Sequence, residues 1–103
     1  MSLVQLVTAL GSREEAEALA RSAVQDRAAA CAQVLGPVAS VYRWEGRIEE
    51  AQEYLCILKA PEAALERLTA FVRERHPYDT PELATFESSF VDERYLAWMR
   101  SET

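Results

Sequence analysis

The feature that most constrains the fold is a pair of strand-type segments joined by the dipeptide Glu45-Gly46. Residues 38–44 precede the dipeptide and residues 47–59 follow it. Both segments contain the β-branched, aromatic and other apolar residues that favour strands. A two-residue connection that ends in Gly is typical of a tight hairpin. We therefore predict a long antiparallel β-hairpin whose second strand covers residues 47–59.

The remaining elements are predicted from caps, prolines and apolar spacing. Pro37 interrupts an apolar run at residues 31–35 and has no N–H to donate to a ladder, so we expect a bulge, a bend or an edge position there. Ser12 and Glu15 form a capping box, which predicts a helix that begins at Ser12. The other predicted elements are a strand at residues 3–8, a helix from Ala60-Pro61-Glu62 to His76-Pro77, a strand at residues 83–87 and a final helix capped by Asp92.

The predicted order is strand-helix-strand-strand-helix-strand, followed by a terminal helix. Two split βαβ units of this kind form a ferredoxin-like βαββαβ sandwich, an α+β fold with an antiparallel sheet and both helices on one face. The long β2-β3 hairpin and the C-terminal helix are additions to that plan. A chain of 103 residues can bury its own core, and we expect a single domain over residues 1–103.

Charge and hydropathy exclude several classes of partner. The formal net charge is −6 and the pI is about 4.8, which argues against nucleic-acid binding. No apolar run approaches the length of a membrane span, and no basic-then-apolar segment suggests a signal peptide. We expect no membrane partner and a cytoplasmic location.

The two cysteines, Cys31 and Cys56, have neither C-x-x-C spacing nor the Cys/His spacing of a metal site. Each lies in an apolar stretch, so we expect two buried thiols. If Trp44 pairs with Arg47, Cys56 lies opposite Leu35. Cys31 is then too far along the strand for a disulfide.

The predicted third strand is apolar on both faces. Cys56 and Leu58 point to one face, and Leu55 and Ile57 point to the other. Two helices cover only one face of the sheet, and the long hairpin exposes backbone that soluble proteins usually cover. We expect self-association through the hairpin edge. The alternative is that the terminal helix alone covers the open face.

Residues 76–82, with the sequence His-Pro-Tyr-Asp-Thr-Pro-Glu, contain the only histidine of the chain. Two prolines stiffen this arm and direct its polar side chains. One interpretation is a rigid connection in which His76 caps the preceding helix. The other is a divalent-metal site of His76 with Asp79 or Glu82, since imidazole and carboxylate suit such ions. A complete site needs three or four ligands, so binding is expected to be weak or shared between subunits.

No catalytic motif accompanies that histidine. The chain has no G-x-S-x-G, P-loop, G-x-G-x-x-G or H-E-x-x-H sequence. No serine or cysteine nucleophile stands beside His76. Asp79 and Glu82 could orient His76, but the residues support catalysis only weakly.

Aromatic residues near the hairpin turn form a second candidate site. Tyr42 and Trp44 share one strand face, and Lys59 is the only lysine of the chain. One interpretation is an aromatic anchor that packs on a neighbouring subunit. The other is a pocket between subunits for a small ligand, lined by these residues together with His76 and Glu82.

Several stretches resemble the CutA family of divalent-cation tolerance proteins. Residues 41–50 have the sequence Val-Tyr-Arg-Trp-Glu-Gly-Arg-Ile-Glu-Glu, and residues 76–82 carry the His-Pro-Tyr arm. The segment Ala-Cys-Ala-Gln at 30–33 and the ending Tyr-Leu-Ala-Trp at 95–98 also match. The resemblance covers nearly the whole chain, and its two longer motifs together are specific.

This resemblance implies a ferredoxin-like fold that assembles as a tight homotrimer through the hairpins. It also implies a role in tolerance of copper and other divalent ions without an enzymatic activity. Some family members carry a cysteine and a second histidine where this chain has Val7 and Arg75, so any copper is expected to bind weakly. The architecture is similar to that of PII nitrogen-regulatory proteins, which implies an alternative role as a sensor of an anionic metabolite in clefts between subunits.

Overall fold

A computed structural model describes all residues of the chain, 1–103. Its strands form one antiparallel sheet in the order β2-β3-β1-β4. This is the predicted ferredoxin-like α+β fold with a C-terminal helix. The elements are β1 (Leu3–Leu10), α1 (Arg13–Gln25), β2 (Cys31–Trp44), β3 (Arg47–Pro61), a 3₁₀ turn (Glu62–Ala64), α2 (Leu65–Arg75), β4 (Ala84–Glu87) and α3 (Glu93–Ser101).

The β2-β3 hairpin turns at Glu45-Gly46, as predicted. Trp44 pairs with Arg47, and the two turn residues have φ values of 50° and 80°. Positive φ at both central positions is the type I′ geometry, whose twist matches that of the flanking strands. The hairpin projects beyond the other strands, so the molecule is 45 Å long but only 27 and 22 Å across.

The bulge expected at Pro37 is present, and it changes the register. Leu35 pairs with Leu55 and Val38 pairs with Glu53, so two residues of β2 face Tyr54 alone. The predicted pairing of Cys56 with Leu35 is therefore wrong by one residue, because the bulge adds one residue to β2. Cys56 lies opposite Val34.

Both cysteines are free thiols, as the predicted separation requires. Cys56 is fully buried, and burial raises the pKa of its thiol to about 11. Cys31 is only half-buried. The prediction that it is buried is wrong in degree, because it lies at the end of an edge strand.

The core lies between α1, α2 and one face of the sheet. Leu6, Leu10 and Leu58 point from β1 and β3 into this layer, and Leu68 and Val72 meet them from α2. Small residues of α1 face the sheet, and Ala16 and Ala23 are fully buried. Small side chains allow the helix to approach the strands closely.

The start of the second helix differs from the prediction. Pro61 is the last residue of β3, where it pairs with Leu3, and the N–H of Glu62 donates to the carbonyl of Ser2 at 3.1 Å. Backbone pairing with the β1 end keeps this segment extended, so the α-helix begins only at Leu65. By contrast, Ser12 caps α1 as predicted, since its side chain accepts from the N–H of Glu15.

The face of the sheet opposite α1 and α2 is only partly covered. α3 contacts β3 and buries Leu96 and Met99. Leu35 remains 50% exposed and Phe86 remains 59% exposed. The alternative that the terminal helix alone covers the open face is therefore wrong.

The three helices lack the combination of length and apolar character that a membrane-spanning helix needs.

Candidate functional site

The His-Pro-Tyr arm begins where α2 ends. The backbone N–H of His76 donates to the carbonyl of Val72 at 2.9 Å, the last hydrogen bond of the helix. His76 has φ −70° and ψ 135°, the extended conformation that a following proline favours. The helix therefore ends here, and the chain turns toward the β2-β3 hairpin.

Both ring nitrogens of His76 are engaged within the protein. Nδ1 lies 3.1 Å from the backbone N of Tyr78, and Nε2 lies 2.9 Å from the carbonyl oxygen of Ala9. A backbone N–H can only donate, so Nδ1 accepts and Nε2 carries the proton that is donated to Ala9. The side chain is only 8% exposed. His76 is therefore a neutral imidazole that ties the arm to the end of β1.

Tyr78 joins the arm to the hairpin. Its hydroxyl donates to Oε2 of Glu53 at 3.1 Å, and its ring packs edge-on against His76 with centroids 4.8 Å apart. Burial raises the pKa of Tyr78 to about 12, and the hydrogen bond and negative charge of Glu53 and the charge of Glu15 add to that rise. The phenol thus stays neutral and keeps the Glu53 carboxylate in a fixed position.

A cleft of about 870 Å³ lies between the arm and the hairpin. Ser40 pairs with Ala51 in the hairpin register. Because side chains on one strand alternate between faces, Tyr42 and Trp44 point to the same side as Glu53. The aromatic and carboxylate side chains that line the cleft are Tyr42, Trp44, Tyr78, Glu53, Asp79 and Glu82.

The cleft brings together four of the six candidate residues predicted from the sequence: Tyr42, Trp44, Asp79 and Glu82. His76 does not line the cleft, and it supports the cleft wall from behind through Tyr78. Lys59 pairs with Gln5 and Cys31 at the far end of β3. It lies roughly 20 Å along the strand from Glu53, at about 3.3 Å per residue. Within one protomer Lys59 is not part of the site.

The structure contains no group of three or more His, Cys, Asp or Glu side chains placed to hold a metal ion. His76, Asp79 and Glu82 therefore do not form a closed metal site within one protomer. A metal bound by His76 needs the ring to give up one of its two hydrogen bonds. The metal role of these residues stays a prediction.

Glu53 and Tyr78 were missing from the candidate residues derived from the sequence. A signal for Glu53 was available, because the hairpin register alone puts its side chain on the face of Tyr42 and Trp44. No sequence signal links Tyr78 to Glu53. Their contact joins residues 25 positions apart and depends on how the arm folds back over the sheet.

The fold and the cleft define a class of protein: a ferredoxin-like α+β domain with a projecting hairpin and a rigid arm that encloses an acidic, aromatic cleft. Comparison with known sequences identifies the family within that class. The chain belongs to the CutA1 divalent ion tolerance protein family, which it matches over residues 4–102. The resemblance in the two sequence motifs is thus confirmed.

Individual relatives and solved structures agree with this assignment. The divalent-cation tolerance protein CutA of Thermus thermophilus is 35% identical over 103 residues, covering 100% of this chain and 99% of that protein. The crystal structure of CutA1 from Oryza sativa has a TM-score of 0.93 at 30% identity, with coverage of 100% and 94%. A structure from Archaeoglobus fulgidus, described as a periplasmic divalent cation tolerance protein, has a TM-score of 0.91 at 27% identity, with coverage of 97% of each chain.

Relatives differ in length. The chain spans about half the length of several curated relatives from plants and mammals, between 49% and 57% of each. It spans nearly all of the bacterial and archaeal relatives from Thermus thermophilus and Pyrococcus horikoshii. The shared unit is thus the domain described above.

Proposed function

We propose that the protein contributes to divalent-cation tolerance as a non-enzymatic homotrimer whose cleft makes weak contact with the cation. The observation that carries the cation preference is the charge of the cleft. Glu53, Asp79 and Glu82 line it, and no Lys, Arg or His side chain does. Carboxylates with low-dielectric walls attract cations and repel anions. An anionic metabolite, the alternative ligand, needs a basic group such as Lys59 from a neighbouring subunit.

The state of His76 supports a role without catalysis. A general base needs a free lone pair within reach of the proton that it removes. Nδ1 of His76 already accepts from Tyr78, and Nε2 is protonated and directed at Ala9. The single histidine therefore acts as a structural group that supports the cleft.

The donor chemistry of the cleft determines which cations it favours. Carboxylate oxygens suit hard divalent ions, whereas copper prefers nitrogen or sulfur ligands. Copper contact through His76 requires the loss of a buried hydrogen bond, which costs about 1 kcal/mol or more. We therefore propose that copper binds weakly and that the carboxylates supply most of the contact.

Calorimetric titration of copper and of manganese tests this proposal. The variant Asp79→Asn/Glu82→Gln keeps the shape of both side chains and removes two charges, and we expect it to lose most of the binding heat. Glu66→Gln removes one charge from an exposed acid on α2; it is the control outside the cleft and should behave like the wild type. Equal heats in all three proteins, or no heat in any, would contradict the metal role of the arm.

The exposed apolar surface supports the proposed homotrimer. Leu35 and Phe86 lie on the open face of the sheet, and Ile48 lies on the opposite face of the projecting hairpin. All three side chains are half or more exposed. Solvent-exposed strand edges and apolar patches of this kind are usually covered by another chain. Contact between protomers would cover both the exposed strand edge of the hairpin and the exposed apolar side chains.

We also propose a cytoplasmic location, supported by the two free thiols, because reduced cysteines are typical of that compartment. The relative from Archaeoglobus fulgidus is described as periplasmic, so the location needs its own test. Fractionation of the source cells, followed by immunodetection, should place the protein with cytoplasmic markers. Recovery with periplasmic markers would contradict this proposal.

A further inference from the structure

The cleft is larger and more aromatic than a site for a bare metal ion needs to be. A divalent ion contacts oxygen ligands at about 2.0–2.6 Å and occupies a small part of a space of about 870 Å³. That volume is in the range of organic-ligand pockets, about 300–1,000 Å³. Three aromatic side chains, Tyr42, Trp44 and Tyr78, line it together with the carboxylates. Carboxylate and aromatic side chains together favour a ligand that has both positive charge and apolar surface.

We propose that this cleft binds an aliphatic polyamine, with ammonium groups on the carboxylates and methylene segments against the aromatic rings. This ligand class goes beyond the proposed role in divalent-cation tolerance and does not depend on it. Ammonium groups are attracted to the faces of aromatic rings as well as to carboxylates. A polyamine alternates the two kinds of group that the cleft accepts.

The carboxylates of the cleft have no positively charged partner within the chain. The ion pairs of the protein use other acids: Glu17, Asp26, Glu62 and Glu102. Glu53 accepts one neutral hydrogen bond, from Tyr78. Asp79 and Glu82 make no side-chain hydrogen bond or ion pair in the structure, and both are exposed. The negative charge of the cleft is thus available to a ligand.

The wall of the cleft is already in place before any ligand arrives. His76 is held through both ring nitrogens, Tyr78 packs on His76, and the hydroxyl of Tyr78 positions Glu53. Two prolines, Pro77 and Pro81, limit the backbone of the arm. A preorganised wall reduces the ordering cost of binding, which favours recognition of a small flexible cation.

Calorimetric titration with spermidine, at constant ionic strength, tests this inference on the assembled protein. We expect a saturable heat in the wild type. Glu82→Gln should weaken binding about two- to fivefold, the effect of one partly exposed ion pair. Trp44→Leu should weaken it by a similar factor through loss of the ring face. Glu66→Gln changes net charge by the same amount outside the cleft and should bind like the wild type.

Magnesium is the second ligand in this experiment, because it carries charge without apolar surface. We expect spermidine to bind in the presence of an equal concentration of Mg²⁺, and Trp44→Leu to weaken spermidine binding by a larger factor than Mg²⁺ binding. Equal losses in Glu82→Gln and Glu66→Gln would overturn the proposal, because they would indicate unspecific charge attraction. Full competition by Mg²⁺ would overturn it in favour of a plain metal site.

Absence of any saturable spermidine heat would also overturn the proposal. In that case a neighbouring copy is the better occupant, since Arg43 and Arg47 near the exposed hairpin turn have the charge to enter an acidic cleft. Loss of assembly in Glu82→Gln, measured by light scattering, would support that occupant. Because copper and manganese are titrated separately, a negative spermidine result leaves the test of the proposed function intact.

Discussion

At the scale of single residues, hydrogen bonds made by the arm determine the shape of the cleft. His76 and Tyr78 are linked to each other and to Ala9 and Glu53, at the two edges of the site. Cys56 sits in the opposite layer, among the apolar residues of the core. Burial raises the pKa of Tyr78 and the pKa of Cys56, so both side chains are neutral at pH 7 in the folded protein.

Replacement of Tyr78 by Phe tests the link between the arm and the hairpin. We expect the free energy of unfolding to fall by about 1 kcal/mol, the usual net contribution of a hydrogen bond, since the exposure of Tyr78 offsets the added strength of a charged acceptor. Urea denaturation measures that change. The variant should also lose the tyrosine that ionises at a pKa of about 12, as followed by ultraviolet absorbance. Tyr42→Phe is the control, because the Tyr42 hydroxyl makes no hydrogen bond in the structure; equal losses in both variants would contradict the assignment.

Because the thiol of Cys56 is buried, we expect the folded protein to lose stability at alkaline pH. Burial raises its pKa from 9.0 to about 11 in the folded protein, so the folded state favours the neutral thiol. The pKa shift of Cys56 therefore adds to the free energy of unfolding, on the order of 2 kcal/mol in total. This stabilisation is fully present below pH 9 and is lost as the pH rises toward 11. Denaturant unfolding at several pH values should show this slope in the wild type and in Cys31→Ala. A similar slope in Cys56→Ala would show that other groups cause it.

At the scale of elements, the bulge in β2 is the feature that sets the position of the cleft residues. Gly36 has φ 155°, and a Cβ at this position would lie 2.5 Å from Cδ2 of Tyr54. Only glycine allows the close approach of β2 to that ring. The extra residue shifts the register between the core half of the hairpin and the half that carries Tyr42 and Trp44.

Gly36→Ala should therefore destabilise the protein by about 1–3 kcal/mol. The added methyl group overlaps the Tyr54 ring, and the positive φ at position 36 is unfavourable for alanine. Gly46→Asn is the matched control at the hairpin turn. A Cβ there meets nothing within 4 Å, and Asn tolerates positive φ, so its cost should be a few tenths of a kcal/mol. Thermal unfolding of the two variants distinguishes them. A Gly36→Ala protein as stable as the wild type would contradict this account of the bulge.

At the scale of the whole molecule, the open face and the projecting hairpin leave a surface that one protomer cannot bury. Light scattering during size exclusion should give three times the chain mass of 11.6 kDa. The pair Leu35→Glu/Ile48→Glu places charges on this surface, and we expect it to yield monomers with unchanged secondary structure. Val24→Glu is the control, because Val24 is an exposed apolar residue on α1 away from the hairpin. A wild-type monomer, or an intact assembly in the double variant, would contradict the proposed homotrimer.

Much of the architecture could be predicted because its signals are local. The Glu45-Gly46 turn, the Ser12 and Asp92 caps and the stop at His76-Pro77 each depend on a few neighbouring residues. Where the prediction failed, a distant segment was responsible. Pro61 stays extended because β1 pairs with it, and this pairing overrides the preference of proline for the first turn of a helix.

The candidate site likewise has features that follow from local sequence and features that depend on contacts between distant segments. Alternation along the hairpin places Tyr42 and Trp44 on one face, and the prolines make the arm rigid, so the sequence by itself determined which segments carry the polar and aromatic groups. Only the tertiary structure decided that the His76 nitrogens are both occupied, that Tyr78 holds Glu53, and that Lys59 lies away from the cleft. The physical reason is that turns and caps are set by backbone preferences of adjacent residues. The cleft depends on contacts between residues 25 and 67 positions apart, which exist only after the arm has folded back on the sheet.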